Sequence, residues 1–175
     1  MLLFISNICF CDSDKTSAYT FQKGFFTFIV EPGVNVGKFA NKISLRKIPS
    51  MDVFNKSGGV EDENELGWKF SVVFNRVKRL LNMFPKKVTT IYVHIFNDTD
   101  EMQKILKSHS KHSAPAFYNT NDNTVYVSSK KCDEYILAHE LAHAIIATYY
   151  IVKTPENVQE ILAIYCDQHL KDQSL

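Results

Sequence analysis

Residues 133–150 read D-E-Y-I-L-A-H-E-L-A-H-A-I-I-A-T-Y-Y, and the rest of the chain is best understood from this stretch outward. Tyr135, Ile136, Leu137, Leu141, Ala142, Ala144, Ile145, Ile146 and Ala147 make it apolar nearly all round, which marks a buried helix. His139 and His143 interrupt it four residues apart. A helix turns about 100° per residue, so two side chains at that spacing point the same way one turn apart and can reach one metal ion. Glu140 is rotated toward a water on such an ion and can take its proton. Two neutral imidazoles and a carboxylate on one turn of a buried helix are costly without partners, and a metal ion answers for all three. The competing reading is a pair of core histidines with ordinary hydrogen bonds.

The H-E-x-x-H pattern on a helix predicts zinc. Two histidines leave a catalytic zinc one protein ligand short, so the following helix, expected over residues 155–170, is where a third must be sought. Thr154 is suited to its N-cap and Pro155 to its first turn. Its carboxylates Glu156, Glu160 and Asp167 fall on one stripe with Ala163, and Ala163 one turn after Glu160 would let the two helices approach closely. Glu160 lies seventeen residues after His143, room for a helix end, a turn and one new helical turn. Glu156 sits in the first turn, where the helix dipole alone explains a carboxylate. Glu160 is therefore the expected ligand, with Glu156 in reserve and a solvated acidic face as the alternative for the whole stripe.

Upstream, the pattern alternates between strands and helices. Residues 25–30 read as a buried strand bounded by Gly24 and Pro32-Gly33. Leu66, Phe70, Val73, Phe74, Val77, Leu80, Leu81 and Phe84 recur at helical steps, with Pro85 as the stop. Residues 88–96 have strong strand propensity, and Asp98 or Thr99 can cap a short helix through about residue 108. Residues 117–118 and 124–128 read as two short strands joined by an Asn/Asp-rich turn. The fold class is α+β, with a helical C-terminal end.

The H-E-L-A-H helix followed by the helical Glu160-Ile-Leu-Ala163 resembles the gluzincin branch of the zincin metallopeptidases. The resemblance covers roughly residues 65–170. It implies a small twisted mixed sheet whose edge strand, residues 124–128, borders a substrate cleft beside the metal helix. It also implies a backing helix over residues 65–84 and an inner strand over 88–96. Carried over by residue, it implies zinc ligands His139, His143 and Glu160, with Glu140 as general base in the hydrolysis of a peptide or protein substrate. The interval between the two helices is shorter than in thermolysin-like members and few residues follow the second, so the likeness is to a minimal gluzincin. The class also calls for a second electrophile at the oxyanion, and Tyr150, two turns beyond His143 on the same face, is the local choice. Two other uses compete with peptidase action: a zinc-stabilised, degenerate zincin that only binds, and a metal-dependent hydrolase of a non-peptide substrate.

Composition bounds these readings. Hydrophobic residues at 45% and charged residues at 22% describe an ordinary globular chain. At 175 residues it suits one domain, with the metallopeptidase-like part over 65–175 and a strand-and-loop region over 13–64. The net charge of +1, with basic residues no denser than pairs, argues against a nucleic-acid partner. Residues 1–12 are mostly apolar and signal-like, yet lack a basic leader and a small-residue cleavage site, which leaves secretion and cytoplasmic residence evenly balanced. No stretch is long enough for a transmembrane helix. Cys132 and Cys166 could form one bridge, or stand as buried thiols. His94, His109 and His112 are read as packing or loop residues.

Overall fold

The computed structural model describes residues 17–49, 62–86, 89–106 and 114–172, and within them a mixed α+β fold of five strands and five helices. The strands are β1 (Tyr19–Lys23), β2 (Phe26–Val30), β3 (Ile91–Phe96), β4 (Ala116–Asn119) and β5 (Thr124–Ser128). The helices are α1 (Val36–Lys42), α2 (Asp62–Leu81), α3 (Thr99–Leu106), α4 (Glu134–Tyr149) and α5 (Glu156–Gln168). His109 and His112 lie outside the described residues.

One sheet takes all five strands in the order β1-β2-β3-β5-β4. β2, β3 and β5 run parallel, while β1 and β4 are antiparallel at the two edges. This corrects one expectation. The strand over 124–128 is not an edge: it is enclosed between β3 and β4, and β4 is the edge on that side. The cause is the hairpin between them, whose turn Asn123 enters with a φ of 53°. It folds the earlier strand outward, so the strand nearest the metal helix in sequence is not the outermost in space.

Side chains alternate across the sheet. Phe26, Phe28, Val30, Ile91, Val93, Ile95, Val125 and Val127 are all fully buried and merge into one core with α2 and α4. Phe70 and Phe74 of α2 meet Phe26 edge-on, at ring separations of 5.7 Å. Gly67 permits the close approach of α2 to β1, since a Cβ there would lie 2.5 Å from Lys23 Cβ. On the opposite face His94 Nε2 donates to Glu31 Oε1 at 2.6 Å, and the ring packs on Phe96 and Tyr126.

Helix ends are set by local chemistry. Asp133 caps α4, its Oδ1 accepting from the N–H groups of Tyr135 and Ile136. α2 stops at Asn82, which takes the left-handed conformation (φ 51°) while the Met83 N–H returns to the Lys78 carbonyl. It therefore ends before Pro85 is reached. Pro155, not Thr154, occupies the N-cap of α5, and no side chain caps that end. At the other end the buried Arg76 of α2 donates to the carbonyls of His169, Leu170 and Asp172. A positive group facing the C-terminus of α5 opposes the helix dipole and ties α5 to α2. Cys132 and Cys166 are buried free thiols, not a bridge. No helix among the described residues is long and apolar enough to cross a membrane.

Candidate metal centre

α4 and α5 form an antiparallel pair with Ala163 fully buried between them, which brings α5 close enough for its carboxylates to reach the histidines of α4. His139 Nε2 and His143 Nε2 are 3.3 Å apart. Glu160 lies across from both: Oε1 is 3.4 Å from His143 Nε2, and Oε2 is 3.5 Å from His139 Nε2. An ion with bonds of about 2.0–2.1 Å to N and O ligands in a tetrahedron holds those ligand atoms about 3.3–3.4 Å apart. The spacing of the two histidine nitrogens fits such an ion, one Glu160 oxygen lies within 4.8 Å of both, and the donor set of two imidazoles and a carboxylate suits a first-row transition metal. Glu156, the reserve ligand, is exposed and does not join the group.

The outer nitrogen of His139 is also engaged. His139 Nδ1 lies 3.1 Å from Asp167 Oδ2, which favours the tautomer with a proton on Nδ1 and leaves the Nε2 lone pair directed at the centre. Gln159 stands beside the His143 side chain and acts to raise its pKa, while its own Nε2 donates to the Thr154 carbonyl. Burial holds His143 below the ordinary imidazole pKa, against the pull of Glu160, so its neutral, ligating form is favoured. Neither Asp167 nor Gln159 was assigned a role from sequence. Asp167 was visible on the acidic stripe. For Gln159 the signal was only its place beside Glu160.

Glu140 is buried under β4, its Oε2 accepting from the Tyr118 N–H at 2.7 Å. Burial pushes its carboxyl up to about 7, with a smaller push from Glu160, while His139 and the Tyr118 N–H act the other way. Tyr118 itself is anchored by its hydroxyl, which donates to Asn123 Oδ1. Tyr150 is elsewhere. It is half-exposed at the C-cap of α4, its ring edge-on to Tyr149, about 10 Å along the axis from His143. Comparison with family models, with curated proteins and with solved structures gave no match.

Proposed function

We propose that the protein is a zinc-dependent metallopeptidase of minimal gluzincin type, in which His139, His143 and Glu160 hold the ion and Glu140 is the general base. The observation that carries this reading is the convergence of two imidazole nitrogens 3.3 Å apart and the Glu160 carboxylate, with one ligand atom from each residue within 4.8 Å of the others, beside a buried carboxylate that stands outside them. A structural zinc calls for four protein ligands and no base, whereas three ligands and a free carboxylate suit a catalytic site with one open position. A zinc ion bound there supplies Lewis acidity and a water acidified toward pKa about 7. With an ion held by His139, His143 and Glu160, Glu140 would be placed to take a proton from the attacking water and to return it to the leaving nitrogen of a peptide. Its elevated pKa suits both halves of that exchange near neutral pH. β4 as edge strand above α4, with α2 behind, supports the zincin likeness and offers main-chain groups to an extended substrate.

The test is metal content together with hydrolysis of a mixed peptide library, with and without a zinc chelator. The expected result is one zinc per chain and cleavage that the chelator abolishes. Glu140→Gln should keep the zinc and lose roughly 10²–10⁴-fold in rate. Glu160→Ala should lose zinc. Zinc retained with no hydrolysis of any kind would favour the binding module. Cleavage of esters but never of peptides would favour the non-peptide hydrolase. Full activity in Glu140→Gln would sink the assignment of the base.

A further inference from the structure

Residues of an antiparallel edge strand turn their main-chain groups alternately toward the neighbouring strand and away from it. Just before β4 the Pro115 carbonyl accepts from the Ser128 N–H of β5, and within β4 Phe117 stands opposite Tyr126. Residues 115, 117 and 119 therefore face β5, while Ala116 and Tyr118 direct their N–H and C=O groups outward from the sheet. The outward N–H of Tyr118 is the one that Glu140 Oε2 accepts. An extended peptide pairing with this edge needs that same donor for one of its carbonyls. Base and substrate thus compete for one hydrogen.

We propose that the Tyr118 N–H is a shared donor, holding the Glu140 carboxylate at rest and passing to a main-chain carbonyl of an extended peptide laid along β4. The base is then released only by a substrate long enough to reach that donor. This rests on the peptidase reading and deepens it: the substrate class is extended, unfolded segments of chain, and short peptides or simple esters are poor substrates. The exchange leaves no polar group stranded. A buried carboxylate stripped of its donor is costly, but at release Glu140 gains the attacking water as its new donor, and the Tyr118 N–H keeps an acceptor throughout. Tyr118 is a positioning residue in this account, acting through its backbone, and the phenol contributes only its anchor to Asn123.

Because this N–H points away from β5, proline at position 118 removes it without breaking the sheet ladder, while alanine removes the side chain and keeps it. End-blocked peptides of two to eight residues are the probe. For the wild-type protein and Tyr118→Ala, kcat/KM should climb at least tenfold at one particular added residue. In Tyr118→Pro that step should vanish while zinc content is kept. A step of equal size in Tyr118→Pro overturns the proposal and leaves the peptidase reading intact. No hydrolysis at any length overturns the peptidase reading and the hand-over with it. Amide exchange followed by NMR tests the resting bond apart from activity and needs no proline variant. In the zinc-loaded protein the Tyr118 amide should exchange slowly, and at least tenfold faster in Glu140→Ala. Equal exchange in the two proteins overturns the resting bond and therefore the proposal.

Discussion

Asp167 lies two turns beyond Glu160 on α5, and its carboxylate meets the outer nitrogen of His139 while Glu160 meets the inner one. One imidazole is thereby gripped from both sides by the same helix. A carboxylate in this position fixes the ring's orientation and makes it a stronger base toward a metal. Replacing Asp167 with Ala should weaken zinc binding by about 10–100-fold, measured by competition against a chromophoric chelator, with one zinc per chain still bound at saturation. Unchanged affinity would make the bond incidental. The stripe of Glu156, Glu160 and Asp167 was legible from residue spacing, and so was the nearness of Glu160 to the two histidines. The division of labour between Glu160 and Asp167 was not legible. It depends on which ring nitrogen each carboxylate meets, and that is set by the relative placement of two helices, not by either sequence alone.

At the scale of elements, that placement depends on how closely α4 and α5 pack. Ala163 is fully buried at their contact, one turn after Glu160. A leucine there would force the helices apart or strain its neighbours, at a cost of about 1–3 kcal/mol. Ala163→Leu should therefore lower stability in urea unfolding and, beyond that, weaken zinc binding in the fraction that remains folded. Ile164→Leu, on the half-exposed face of the same helix, should change neither. Stability lost with zinc affinity intact would show that the ligand geometry does not depend on this contact. Elements were legible where their periodicity was strong. α4 and α5 lie within a residue or two of expectation, because caps and apolar runs define them locally. α1 was missed, being a single short segment with Gly37 in its first turn. β1 was missed because, at an edge, it buries little and carries Gln22 and Lys23. The exchange of edge between β4 and β5 was beyond reach, since strand order is a tertiary fact that hairpin spacing does not encode.

At the scale of the whole molecule, Glu134 joins three distant parts of the chain at the start of α4. Its Oε2 accepts from the Ser44 N–H, just after α1, and its Oε1 meets Lys171 Nζ, beyond α5. The segment before α2 and the residues just after α5 are thus fastened to α4 through one buried carboxylate. Burial alone would raise the pKa of Glu134, but the bonds from Lys171 and Ser44 outweigh it and the net shift is downward from 4.5. For Lys171, burial pulls down while its bond to Glu134 and the neighbouring Tyr135 pull up, with a net rise. A carboxylate with a depressed folded pKa contributes stability that is fully present above its unfolded value and is lost as pH falls through the folded one. A lysine with a raised folded pKa contributes stability that is complete below its unfolded value and is lost only as pH rises through the folded one. Both contributions are therefore complete across the neutral range, and acid removes the first. Glu134→Gln keeps an acceptor for Ser44 but gives up the charge, so at pH 7 it should unfold about 1–2 kcal/mol more easily than the parent. Below about pH 4.5 that gap should narrow steadily, because the parent then protonates the same group that the variant lacks. Urea unfolding of both proteins from pH 7 to pH 3 measures the gap directly. A difference that stays constant into acid would mean that the carboxylate's charge is not what fastens these two segments to α4.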